Sequence, residues 1–192
     1  DPVTGKDRLE GGAVRFTQLP RDVRERWARG HEKLTNLLKD CTLEDNSASH
    51  RGGAVTLQDA EAWIVNCTLR GNRAGSGEGE GEGEGGALYA EEKGHVRLFL
   101  CRLYANEASR GGAAAFRRAF GWMRNTLVYA NRGQYALEWL EAEYDGDRNG
   151  HRMLINYTTV SDNHGGGIGW FGTIAREGLV TPVCIRQSIV AF

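Results

Sequence analysis

Tyr89, Glu91, Arg117, Glu138 and Glu141 are the residues in this sequence whose types could do chemistry together. Carboxylates beside arginine and tyrosine suit a sugar cleft. One carboxylic acid can protonate a glycosidic oxygen while a second carboxylate activates water or stabilises a developing cation. The same residue types also suit a plainer role. Opposite charges on adjacent strands form a ladder, each exposed pair contributing about 0.2–1 kcal/mol. Glu91 beside Arg117, and Glu92 and Glu141 beside Arg118, are read as such a ladder. No residue is therefore assigned as catalytic, and the five stand as candidates for binding.

Other sets carry less. Asp145, Asp147 and His151 lie in the polar stretch 141–151 at a spacing that fits no metal or acid–base motif, and are read as a solvated loop. Four cysteines without a CxxC or a Cys/His spacing give no zinc site. Cys41, Cys67 and Cys101 are read as small buried hydrophobes, and Cys184 falls outside their column. GGGIG at 165–169 lies at a repeat turn and gives no phosphate loop. No metal and no cofactor are expected. Asn66 and Asn156 each open an Asn-x-Thr sequon, but Asn66 and Asn125 also sit where a bend is needed, and the turn role is preferred.

Composition narrows the classes. The 192 residues carry a net charge of −1, so no basic field draws nucleic acid or an anionic membrane. No apolar run is long enough to span a bilayer. The 27 glycines against 3 prolines suit many tight turns. The chain 1–192 reads as a single domain and as a fragment of a longer protein.

The elements that must position these residues come from a repeat. Asn46, Asn72, Asn106, Asn131 and Asn163 recur at intervals of 26, 34, 25 and 32 residues. Three residues before each stand Leu43, Leu69, Leu103, Val128 and Val160. Five before stand Cys41, Cys67, Cys101, Thr126 and Thr158. Eight before stand Leu38, Ile64, Leu98, Met123 and Ile155. A glycine pair follows most of them, at 52–53, 85–86, 111–112 and 165–166, with Tyr135-Ala136 standing in its place after Asn131. Beyond the glycines, Val55, Leu88, Ala114, Leu137 and Ile168 form one inward column, and Leu57, Ala90, Phe116, Trp139 and Trp170 the next. Offsets of two are the strand period, and the step of three between the other columns demands a bend. Each unit thus holds about three short strands that bury their apolar side only by stacking on the next unit. An all-β, right-handed parallel β-helix of about five to six coils is expected. A charged, partly helical insertion is expected at 17–36 and a Gly/Glu low-complexity loop at 75–84.

The units GGAV at 11–14 and 52–55, GGAL at 85–88 and GGAA at 111–114, together with the turns LEDN, LRGN, LYAN, VYAN and VSDN, resemble the repeats of polymorphic outer-membrane proteins. More broadly they resemble the pectate-lyase-like superfamily. The resemblance implies an exported or cell-surface solenoid, extracellular, serving adhesion, display or binding without catalysis. The alternative it implies is a polysaccharide lyase or glycosidase working on an outward sheet face. The partner expected is a glycan or a surface protein.

Overall fold

A computed structural model of the chain describes residues 12–17, 36–75, 83–143, 153–173 and 183–191. The expected insertion lies almost wholly outside these residues, as do most of the Gly/Glu loop and the loop carrying Asp145, Asp147 and His151. The described residues form an all-β parallel solenoid of about 4 turns. Five to six coils were expected. The count among the described residues is therefore slightly lower than expected.

Three faces of six strands each run the length of the solenoid. The first face holds Val14–Thr17, Val55–Gln58, Leu88–Glu91, Ala114–Arg117, Arg132–Glu143 and His164–Thr173. The second holds Asn36–Lys39, Glu61–Val65, His95–Phe99, Phe120–Arg124, Met153–Asn156 and Val183–Arg186. The third holds Thr42–Glu44, Thr68–Arg70, Arg102–Tyr104, Leu127–Tyr129, Thr159–Ser161 and Ile189–Val190. All pairings are parallel, and the inward columns lie in register: Leu38, Ile64, Leu98, Met123, Ile155 and Ile185 on the second face, Leu43, Leu69, Leu103, Val128, Val160 and Val190 on the third. The central members of these columns are fully buried in one core. Each such leucine contributes about 2 kcal/mol.

The turns follow from backbone chemistry. Between second and third faces a single left-handed residue turns the chain: Asp40, Asn66, Leu100, Asn125, Tyr157 and Gln187 all have φ between 46° and 56°. Asn and Asp tolerate this region, whereas leucine and tyrosine there are strained. Asn66 and Asn125 thus take the turn role expected of them. At the glycine pair, Gly111 has φ 59°, and a Cβ on Gly112 would lie 2.5 Å from the Arg132 carbonyl oxygen of the next coil. Only glycine meets both demands. Where Tyr135-Ala136 replaces the pair, Arg132–Glu143 runs on as one 12-residue strand, and its neighbour His164–Thr173 runs on through Gly165-Gly166 as a 10-residue strand.

The asparagines form a buried ladder at the corner. Nδ2 of Asn46, Asn72, Asn106 and Asn131 each donates to Oδ1 of the next, at 2.9–3.0 Å. The same oxygens accept the backbone N–H of the preceding asparagine. Asn72, Asn106 and Asn131 also donate to the carbonyls of Leu43, Leu69 and Leu103 in the coil before. A buried amide is tolerable because both its donor and its acceptor are met. The thiol column has an equally plain cause. Cys67 and Cys101 donate to the carbonyl two residues back at 3.2 and 3.3 Å, and Thr126, Thr158 and Ser188 do the same. The position demands a small side chain with a donor, and Cys41, Cys67 and Cys101 are free thiols.

Candidate functional site

Alternation along the first face turns Thr56, Tyr89, Ala115 and Glu138 away from the core, in register as the sequence spacing implied. These side chains are nevertheless fully buried. Tyr89, Ala115 and Leu140 form a second small apolar cluster on this outer side. Around it the charges interlock. Arg51 reaches Glu91 at 2.9 Å and lies over the Tyr89 ring at 5.0 Å, and the Tyr89 hydroxyl donates to Glu91 at 3.1 Å. Arg117 pairs with Glu84. Glu138 accepts from Arg110 Nε at 2.8 Å through one oxygen and from the Gly111 amide at 2.8 Å through the other.

Four of the five candidates therefore come together. Tyr89, Glu91, Arg117 and Glu138 share one face, and Glu91 and Arg117 are register partners as expected; Glu91 also bonds Arg51, and Arg117 also bonds Glu84. Glu141 lies in the same long strand, but a register shift between Trp139 and Ala142 sets Gly172 opposite Ala142, not opposite Glu141. Asp59, Glu92 and Arg118 are left-handed turn residues that end their strands, with φ of 46°, 50° and 49°, so Glu92 and Arg118, read as part of the charge ladder, sit at corners.

Arg51, Glu84 and Arg110 fall outside the columns defined by the asparagine spacing. Each immediately precedes a glycine pair, and the three are bridged in parallel as Arg51–Glu84–Arg110. Their signal in the sequence is their shared place one residue before the glycine pairs. Glu84 was hidden because it closes a Gly/Glu run that reads as loop.

Burial shifts two of these groups. The Glu138 carboxyl is raised above its ordinary range chiefly by desolvation, with the Glu84 charge adding and Arg110 and the Gly111 amide opposing. The Tyr89 phenol is raised for the same first reason, with Glu84 and Glu91 adding to it.

The second face differs. Its outward columns run Leu37, Trp63, Arg97, Trp122, Leu154 and Lys39, Val65, Phe99, Arg124, Asn156. Trp63 stacks on Phe99 at 5.4 Å, and Phe99 meets Trp122 edge-on at 5.3 Å. Arg97 lies over Trp63 at 5.3 Å and pairs with Glu61. His95 and Phe120 pack at 5.3 Å. Trp63 is 38% exposed and Leu37 58%. Among the described residues no group of three or more His, Cys, Asp or Glu is placed to hold a metal, and no helix is long and apolar enough to cross a membrane.

The fold defines the class, a parallel β-solenoid. No protein family, curated protein or solved structure was found to match the chain.

Proposed function

We propose that the chain is a non-catalytic solenoid of the exported or cell-surface kind, serving adhesion, display or binding, and that it holds a glycan on the outer side of its second face. The observation that carries this is the pairing of half-exposed rings, Trp63, Phe99 and Trp122, with Arg97, Glu61 and His95 on one flat surface. A sugar ring has an apolar C–H side that packs on aromatic carbon and hydroxyls that need donors and acceptors. The finer structural reading, a right-handed helix of the pectate-lyase-like kind with repeats like those of polymorphic outer-membrane proteins, belongs to the same proposal. It is supported by the Gly-Gly-Ala and hydrophobic-x-x-Asn units.

The enzyme alternative has one observation in its favour: Glu138 is raised toward the protonated form, as a general acid must be. Against it, Glu138 is fully buried and both its oxygens are bonded. Affinity electrophoresis through neutral and acidic polysaccharides separates the two. Retardation by at least one polysaccharide, without release of reducing ends or unsaturated products and abolished by Trp63→Ala with Trp122→Ala, is the expected result. Turnover lost on Glu91→Ala or Glu138→Ala would replace binding with catalysis.

A further inference from the structure

The residue after each ladder asparagine forms a row of its own. Ser47, Arg73, Glu107, Arg132 and His164 are successive parallel partners. The asparagine points inward, so its successor points out, and Arg73, Arg132 and His164 are exposed. The next residues, Ala74 and Ala108, are buried. Gly75, Ser109 and Gln134 form the far bank. Between the banks runs a groove of about 380 Å³.

The charge in this groove is unbalanced. Arg73 meets Glu107 only at 3.7 Å. Arg132 has no ion pair and no side-chain hydrogen bond among the described residues, and neither has His164. Two arginines and a histidine thus share one carboxylate. Parallel rungs lie about 4.8 Å apart, and Arg132 and His164 are backbone partners one rung apart that line the same groove. A guanidinium presents paired donors that fit a carboxylate or phosphate in bidentate fashion. The small side chains along the groove leave room for the body of the ligand. A Cβ on Gly133 would stand 2.5 Å from the Ala108 carbonyl oxygen, so a larger residue cannot fill the groove there without moving backbone.

We propose that this corner groove is a binding site for a small oxyanion-bearing ligand, with Arg132 gripping the anion and His164 and Arg73 flanking it. The site is separate from the second-face surface, and failure of either leaves the other standing.

The test is a nuclear magnetic resonance titration of the full chain at constant ionic strength, with inorganic phosphate in one arm and glucuronate in the other. Saturable shifts confined to Arg132 and the groove residues are expected in at least one arm. The arm that saturates at lower concentration identifies the tetrahedral or the planar anion. Arg132→Gln should weaken that binding about tenfold, the scale of one charged hydrogen-bonding group. Glu107→Gln should strengthen it about threefold by removing the competing charge. Lys39→Gln, on the second face, should leave it unchanged. Linear, unsaturated shifts in both arms would overturn the site. So would Arg132→Gln and Glu107→Gln titrating like Lys39→Gln.

Discussion

On the first face, outward-pointing Thr56, Tyr89 and Glu138 are as buried as the core, whereas on the second face outward-pointing Leu37 and Trp63 are exposed in part. Both faces come from the same strand alternation in the same coils. The first spends its polar groups on itself: three arginines, three glutamates and a tyrosine bond one another across adjacent coils. The second leaves ring surface available and pairs only part of its charge. Strand geometry therefore fixes which way a side chain points, and the neighbours it finds decide whether it stabilises the fold or meets a ligand.

The largest expected effect comes from breaking the first face. Glu138→Ala should destabilise the chain by about 3 kcal/mol, because it leaves the Gly111 amide and part of Arg110 unbonded under cover. Equilibrium denaturation measures it, and a loss below about 1 kcal/mol would show that this exterior is wet after all. Asn106→Ala supplies the interior standard. It strands donors and acceptors on Asn72, Asn131 and Leu69 and should cost about 3 kcal/mol as well.

The next effect is alkaline. An unfolded phenol ionises near pH 10, while buried Tyr89 ionises only well above that. The Cys101 thiol is pushed by burial from 9.0 to about 12. In the window between, the unfolded state sheds protons that the native state keeps, so stability falls as pH rises. Glu138 has the same sign at lower pH. Its contribution is greatest in acid and declines as pH rises through the carboxylate range toward its raised folded value. Denaturation midpoints at pH 7, 9 and 10.5 should fall progressively. Tyr89→Phe should fall less steeply, despite losing its bond to Glu91 at 3.1 Å. An unchanged slope would remove Tyr89 from the buried set.

The second face should respond weakly in stability and strongly in binding. Trp63→Ala removes ring contacts to Phe99 and Arg97 worth about 1 kcal/mol, yet should abolish glycan retention. A loss above about 3 kcal/mol would mean that this ring is core. The smallest effect belongs to Cys101→Thr, which should be neutral at pH 7 within about 0.5 kcal/mol. Thr126 already makes the same bond in the next coil, and the change should remove the thiol's share of the alkaline slope.

Much of the scaffold was legible because a parallel stack repeats its side-chain columns. Leu103, Cys101 and Asn106 reveal their roles through their counterparts 25 to 34 residues away, with no knowledge of contacts. The candidate site was legible only in part. The register that brings Tyr89, Glu91, Arg117 and Glu138 to one face follows from spacing. The bonds Arg51–Glu91 and Arg117–Glu84 do not, since long side chains reach diagonally and choose among several neighbours one rung away.

The sequence by itself determined the parallel stack, the inward columns, the asparagine corner and the glycine turns, because each is a local demand that every coil must meet in the same way. Only the tertiary structure decided that Tyr89, Ala115 and Glu138 are buried on the outward side of the first face, that the strand through Tyr135-Ala136 runs on for 12 residues, and that Arg132 has no acid partner among the described residues. Those outcomes depend on which side chains meet across coils and on what lies over them, and neither is encoded in the spacing of any one repeat.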